Sequence, residues 1–330
     1  MECASLQGGS ENGASKEESI AYKVMRTVWV PWQRERRLVR EQERTLATRR
    51  SVWLDAGRTH AAVLRHDGGV ACWGSNYYGE APPDGVDGDF VAVAAGSVHS
   101  LALIRNGNVA CWGYNGDGRA PPDGVEGDFV AIAAGGAHSL ALTCNGNVAC
   151  WGHNGYGQGP PAGVEGDFVA IAAGGRHSLA LRRNGSVACW GHNGDGEAPP
   201  DGVEGDFVAI AAGIGHSLAL RRNGSVACWG SNDDGRAPPD GVEGDFVAIA
   251  AGTYFSAALR RDGSVACWGR NDEGQAPPDG VEGGDFVAIA AGWRHSLALR
   301  RDGSIACWGR NDEGQAPPDG VRGPFKTEEV

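Results

Sequence analysis

The sequence predicts an all-β fold in which seven copies of one unit form a closed ring. The tripeptide Cys-Trp-Gly recurs every 39 residues, with a last interval of 40, and it begins at Cys72, Cys111, Cys150, Cys189, Cys228, Cys267 and Cys307. Each unit also contains three short apolar runs of β type, typified by FVAIA, HSLAL and SVACW, and none has a helical period. Paired prolines in APPDG, which exclude a helix and a central strand, separate the units.

Three short strands cannot bury both of their faces, so the units must stack on one another. A linear β-solenoid is one solution, but its coils are generally shorter and its open ends need polar caps, whereas the seventh unit is as apolar as the third. Antiparallel units of about 40 residues suit a β-propeller. We therefore predict a seven-bladed β-propeller over residues 51–330, preceded by a basic N-terminal segment, residues 1–50, that is partly disordered or helical.

Within each unit, an Asn-Gly or Asp-Gly dipeptide such as Asn184-Gly185 joins the second run to the third. This dipeptide predicts a hairpin with a two-residue type I′ turn. The last six residues, FKTEEV at 325–330, begin where another FVAIA run would start. They could therefore add a strand that closes the ring.

Composition excludes several classes of function. The chain has a net charge of -12, and the acidic residues are concentrated after residue 50, so we expect no direct binding of nucleic acid by the propeller. No apolar run is long enough for a membrane span, and the N-terminus lacks the apolar core of a secretory signal. We expect a monomer without membrane contact, located in the cytoplasm or the nucleus.

The repeated polar residues favour structural roles over chemistry. Histidine recurs in six units and is replaced by Phe255 in the remaining one, which indicates a packed, hydrogen-bonded core position. The cysteines of the repeat are expected to be buried and reduced, and Cys144 to be exposed beside its turn. Asp123, Glu126 and Asp128 only faintly match a calcium loop. We therefore predict no catalytic residue, no metal site and no cofactor, and thus no enzyme.

Two loops differ between units: the pair of residues after Ala-Gly, and the residues around the asparagine that follows Cys-Trp-Gly. Strand direction places both loops on one face of the disc, which we call the variable face, and the near-constant Asn-Gly turns on the other, which we call the turn face. Loops on a rigid scaffold concentrate binding residues, although drift after duplication would also produce variation. The predicted partner-binding residues are Arg58, Tyr77, Tyr78, Tyr114, His153, Tyr156, Arg176, His192, Tyr254, Arg270, Trp293, Arg294 and Arg310.

The patterns AGxxHSLAL and NGSVACWGxNxxGQ resemble the repeat of the regulator of chromosome condensation family of seven-bladed propellers. The units are similar in length to those of its short-blade member, the class II β-lactamase inhibitory protein. The resemblance implies a non-catalytic platform that binds a protein partner. Two alternatives follow from the same resemblance: a guanine-nucleotide exchange factor for a small GTPase, and the propeller of a ubiquitin-ligase-type assembly. Photoreception by clustered Gly-Trp-Arg-His motifs is not favoured, because only one close match, at 292–295, is present.

Overall fold

A computed structural model describes residues 53–282 and 285–327, which form 21 strands in seven three-stranded antiparallel sheets. Each sheet contains three strands that are consecutive in the chain, as predicted, and we number the sheets blades 1 to 7 in chain order. None of the described residues belongs to a helix that could cross a membrane. The basic segment predicted at 1–50 lies outside the described residues.

The strands have the bounds expected from the three apolar runs. The first strands of the blades are β1 Leu54–Ala56, β4 Phe90–Ala95, β7 Phe129–Ala134, β10 Phe168–Ala173, β13 Phe207–Ala212, β16 Phe246–Ala251 and β19 Phe286–Ala291. The second strands are β2 His60–Leu64, β5 His99–Ile104, β8 His138–Thr143, β11 His177–Arg182, β14 His216–Arg221, β17 Phe255–Arg260 and β20 His295–Arg300. The third strands are β3 Val70–Gly74, β6 Val109–Gly113, β9 Val148–Gly152, β12 Val187–Gly191, β15 Val226–Gly230, β18 Val265–Gly269 and β21 Ile305–Gly309.

The first strands surround a central channel. Each packs against the first strand of the next blade, and β19 packs against β1, so the ring is closed. The Ala-Gly loops that end these strands line one mouth of the channel. The architecture is a seven-bladed β-propeller in which the first strand of each blade is innermost.

Large side chains of one blade pack on small side chains of the next. In a strand, alternate residues point to opposite faces, so HSLAL presents histidine and two leucines on one face and serine and alanine on the other. Leu179 and Leu181 of blade 4 are buried against Ala219 of blade 5, together with Phe207. Each of the seven interfaces has an equivalent cluster of buried residues, although Ala62 and Ala257 replace the first leucine in blades 1 and 6, and Val63 replaces the alanine in blade 1.

The hairpins between second and third strands are confirmed, but the predicted type I′ turn is wrong. The Gly185 N–H donates to the Arg182 carbonyl at 3.0 Å, so the β-turn spans 182–185 and glycine is its fourth residue, with φ of 92°. This arrangement is a three-residue loop with a left-handed glycine of the G1-bulge type. The Asn184 side chain accepts the Ser186 N–H at 3.0 Å, so asparagine stabilises the turn through its side chain.

The C-terminal segment completes blade 1, where β1 is only three residues long. Phe325 forms an antiparallel bridge with Arg65, as Phe90 does with Ile104 in blade 2. The Lys326 N–H donates to the Leu64 carbonyl at 3.0 Å. The first strand of blade 1 is thus assembled from both ends of the repeat region, and the predicted closing strand is present as this short bridge.

Replacement of Phe325 by alanine is expected to destabilise the propeller by about 3 kcal/mol, because the buried ring seals the junction of blades 7 and 1. Denaturant unfolding of the full chain measures the loss. Phe207→Ala, at the same position of an internal blade, is expected to cost a similar amount, and Lys326→Ala should cost little because it keeps its backbone hydrogen bond. A Phe325→Ala variant as stable as wild type would contradict the closure.

Candidate functional site

The two variable loops of each blade are bonded to each other, which confirms that they lie on the same face. In blade 4, the His192 N–H donates to the Arg176 carbonyl at 2.9 Å. The equivalent bond is present in the other six blades, at 2.8 or 2.9 Å. All thirteen residues predicted for partner binding therefore lie in loops of the variable face.

The loop after Cys-Trp-Gly is fixed from within by its asparagine. In blade 4 the Asn193 Oδ1 accepts the Ala198 N–H at 2.9 Å, which folds the intervening residues into a compact turn. The same bond recurs with the asparagine of each of the other blades. The side chains that vary are consequently displayed on a rigid backbone.

The end of this loop is also tied to the next blade. The Gln158 carbonyl of blade 3 accepts a hydrogen bond from the Trp190 indole at 3.0 Å and another from the Ser178 hydroxyl at 2.8 Å, both from blade 4. The tryptophan bond occurs at all seven interfaces, between 2.9 and 3.1 Å. The repeated Trp therefore positions the variable loop of the preceding blade.

The repeated histidine extends this arrangement. The Ser178 hydroxyl gives its only proton to the Gln158 carbonyl, so it accepts a hydrogen bond from the His138 Nε2–H of blade 3 at 2.8 Å. The Nε2 of the imidazole therefore carries a proton. This His-Ser-carbonyl relay is complete at five interfaces, through His60, His99, His138, His177 and His216.

Burial disfavours the charged imidazole and lowers the pKa of each histidine. The pKa falls to about 4 for His60 and His177, and to about 3 for His99, His138, His216 and His295. The preceding Ala-Gly glycine makes room for the ring, since a Cβ on Gly174 would lie 2.4 Å from the His177 Cε1. The predicted packed, hydrogen-bonded histidine is confirmed.

Both interfaces of blade 7 lack the relay. At the interface with blade 6, Phe255 replaces the histidine, and Ser296 bonds only to the Gln275 carbonyl. At the interface with blade 1, Ala61 replaces the serine, so the buried His295 lacks the hydroxyl partner that the histidines of the complete relays have. Blade 7 therefore lacks the histidine–serine hydrogen bond on both of its sides.

Aromatic side chains form two groups on the variable face. Tyr78 of blade 1 lies with its ring 5.0 Å from that of Tyr114 of blade 2 and 4.8 Å from Tyr77. Tyr156 of blade 3 lies 5.2 Å from the ring of His192 of blade 4. Five of the seven exposed large hydrophobic side chains in the described residues are on this face: Tyr77, Tyr78, Tyr114, Tyr156 and Ile214.

Arginines of the variable face fall into two groups. Five form ion pairs with carboxylates of the same face: Arg119–Asp117, Arg236–Asp234, Arg270–Asp272, Arg294–Glu273 and Arg310–Asp312. Arg58 and Arg176 have no carboxylate partner within the described residues. They stack instead on aromatic rings, Arg58 at 4.5 Å from the Trp293 ring and Arg176 at 5.0 Å from the Tyr156 ring.

The predicted site residues do not include the last residue of the loop after Cys-Trp-Gly, which is buried and also differs between units. The residue directly after the last glycine of the loop is Gln158 in blade 3, Glu197 in blade 4 and Arg236 in blade 5, and all three are buried. Burial raises the pKa of Glu197, but hydrogen bonds from His192 and from backbone N–H groups outweigh it and leave the pKa lowered. The sequence does contain an indication of this position: some units have a neutral Gln there, whereas others have a charged Glu or Arg.

The remaining polar groups form no reactive constellation in the described part of the chain. No group of three or more His, Cys, Asp or Glu there could hold a metal ion. Six repeat cysteines are buried and Cys307 is partly buried, and burial raises the pKa of each thiol to about 12. Cys144 is exposed, as predicted.

These features define a repeat propeller that presents varied side chains on one face of a rigid disc. The model of the regulator of chromosome condensation (RCC1) repeat matches seven segments, at residues 54–80, 90–119, 129–158, 168–197, 207–236, 246–275 and 286–315. Since these segments make up more than half of the chain, the protein belongs to the RCC1 repeat family.

Solved structures share the fold. The CRINKLY WD40 ectodomain of the receptor kinase ACR4 from Arabidopsis thaliana matches with a TM-score of 0.65 and 22% identity, over 81% of this chain and 98% of that chain. Prp20p from Saccharomyces cerevisiae matches with a TM-score of 0.62 and 21% identity, over 82% and 84%. The ectodomain of the receptor kinase CR4 from Physcomitrella patens matches with a TM-score of 0.61 and 27% identity, over 78% and 71%.

No curated protein sequence matches this chain significantly. The similarity in unit length to the β-lactamase inhibitory protein stays a prediction.

Ala61→Ser is expected to complete the relay between blades 7 and 1 and to stabilise the protein by about 1 kcal/mol. The new hydroxyl would accept from His295 and donate to the Gln315 carbonyl, which already accepts the Trp73 indole. Denaturant unfolding measures the gain. In a His295→Phe background, which reproduces the residue of blade 6, the gain should disappear, and an equal gain in both backgrounds would contradict the relay.

Stability is expected to fall as the pH drops from about 6.5 to about 4. The unfolded histidines bind protons below their ordinary pKa of 6.5, whereas the folded ones stay neutral down to about 3 to 4. Each histidine adds a slope of up to about 1.4 kcal/mol per pH unit. Asp55, whose pKa burial raises to about 6, acts in the opposite direction, but it is one group against six.

Urea unfolding at several pH values measures this slope. His216→Phe introduces the residue that blade 6 has at the same position, Phe255. This variant should lower the slope of stability against pH by the contribution of one histidine. An unchanged slope would contradict the assignment.

Proposed function

We propose that this protein is a non-catalytic interaction module that binds a protein partner through the variable face. The observation that carries the proposal is the concentration of exposed aromatic and arginine side chains in loops that are held rigid by hydrogen bonds. Tyr, Trp and Arg are the residue types most enriched at the energetic centres of protein interfaces. A rigid backbone also reduces the entropy lost on binding.

The turn face offers a contrast. Its arginines are paired with aspartates of the blade connections, as in Arg222–Asp206 and Arg261–Asp245, and these side chains are largely exposed. The same pairing occurs in blades 2, 4, 5 and 6, so much of this face presents one repeated arrangement to a partner. Specific recognition is therefore assigned to the variable face.

A second candidate is the regulation of a small GTPase. Its support is the likeness of fold to Prp20p, whose structure was described together with its binding properties to Gsp1p and histones. The uniform 39- or 40-residue spacing leaves no room for a wedge inserted into a blade. A nucleotide-release assay against a panel of small GTPases separates this candidate from a purely binding role, and stimulated release would favour it.

Partner capture should depend on the variable face alone. Affinity capture from cells followed by mass spectrometry, with and without residues 1–50, identifies the partner. Trp293→Ala and Tyr78→Ala are each expected to weaken its capture by at least about ten-fold, since such anchors commonly contribute about 2 kcal/mol or more. Arg261→Ala on the turn face is the matched control and should bind normally. The proposal fails if the variable-face variants capture every partner as wild type does while turn-face changes abolish capture.

A further inference from the structure

A cavity of about 260 Å³ opens on the variable face where blade 7 meets blade 1. Its lining combines Arg58, Tyr77, Tyr78, Trp293 and Arg310. The cavity therefore joins one of the two arginines without a carboxylate partner to the most exposed aromatic side chain of the described residues, Tyr77, which is 84% exposed. The Arg58 guanidinium and the Tyr77 ring are therefore both available to bind a ligand.

We propose that this cavity binds the carboxylate of an aspartate or glutamate in an acidic segment of a protein partner. The inference rests on the proposed function and names the chemistry that the variable face recognises. Arg58 is the residue that would bind the carboxylate. Its guanidinium has five N–H donors in a fixed geometry that matches a carboxylate, and none of them is bonded to a group in the described residues. Its stacking on Trp293 holds the fork in place, which lowers the entropy lost when a carboxylate binds.

The indole ring at the cavity already lies against cationic groups of the protein. The Trp293 ring already lies close to three of the protein's own guanidinium groups, at 4.5 Å from Arg58, 4.7 Å from Arg294 and 5.8 Å from Arg310. A cation from a partner would therefore find the indole occupied, whereas the Arg58 guanidinium has no carboxylate partner within the described residues. The cavity therefore differs from an aromatic cage for a lysine or a methylated amine.

Two carboxylates also line the cavity, but neither pairs with Arg58. The buried Glu80 accepts the Tyr78 N–H at 2.7 Å, and it is thus engaged by the backbone. Glu313 is exposed, where solvent screens its charge. Neither group therefore neutralises the Arg58 guanidinium.

The binding is measured directly on the full-length protein labelled with nitrogen-15. The indole N–H signal of Trp293 is assigned by its loss in Trp293→Phe, and the probe is a blocked peptide of four alternating Glu-Gly pairs. A single partly exposed ion pair gives weak binding, so we expect a saturable shift of the Trp293 signal at peptide concentrations up to about 10 mM. The Trp190 signal, which reports on a blade interface, should not move.

Matched controls isolate the carboxylate and the arginine. A peptide of alternating Gln-Gly pairs, which removes the charge and keeps the size, should bind at least about five-fold more weakly, and so should the Glu peptide to Arg58→Gln. Arg222→Gln on the turn face should bind the Glu peptide as wild type does. The proposal is overturned by equal binding of the Gln peptide, by unchanged binding to Arg58→Gln, by the absence of any shift, or by binding only of a Lys-Gly or phosphoserine-Gly peptide.

The two functional proposals fail in different ways. If the Glu peptide does not bind while partner capture still depends on Trp293 and Tyr78, the acidic-segment proposal is wrong and the interaction function stands. If capture is independent of these residues while turn-face changes abolish it, the proposed interaction through the variable face is wrong whatever the peptide does.

Discussion

In every blade, the backbone carbonyl that ends the loop after Cys-Trp-Gly accepts a hydrogen bond from the tryptophan of the next blade. This one oxygen links the core to the functional surface. On the side of the core it anchors the Trp and, in six blades, a serine, and so it sets how one blade stacks on the next. On the side of the surface it ends the loop that carries the variable side chains. Displacement of a blade would therefore displace the loop that the preceding blade displays.

The composition of the repeat follows from this contact. Tryptophan supplies a donor at the end of a large apolar ring, which a partly buried position next to a carbonyl requires. Serine is small enough for the face that receives the leucines, and it can both accept from histidine and donate to the carbonyl. Where blade 6 has Phe255 in place of histidine, the packing is kept and a buried polar group is removed. Where blade 1 has Ala61 in place of serine, the buried His295 is kept but its hydroxyl partner is lost.

The site shows how far reasoning from the residues could reach. The periods of two along the strands and of 39 along the chain predicted the sheets, the ring and the face on which both variable loops lie. They could not predict the environment of every arginine: four of the five paired arginines bond to an aspartate two residues away in the same loop, but the remaining contacts depend on a neighbouring blade. Arg294, for example, pairs with Glu273 of the preceding blade, whereas Arg58 stacks on Trp293 across the closure of the ring. The Asn-Gly dipeptide also could not predict the turn type, because Asn184 can stabilise a hairpin either through its backbone conformation or through its side chain.

The sequence by itself determined the blade number, the order of strands and the two faces of the disc, because a repeated pattern leaves one local structure that satisfies every copy. Only the tertiary structure decided how the two ends of the repeat region meet, since that contact joins Phe325 to the residue after strand β2, which lies at the other end of the repeat region in the chain. It also decided that blade 7 lacks the His-Ser contact on both sides, because each contact needs one residue from each of two neighbouring blades. The cavity at the junction of blades 7 and 1 has the same origin: its arginine and its tryptophan come from opposite ends of the repeat array, and ring closure alone brings them together.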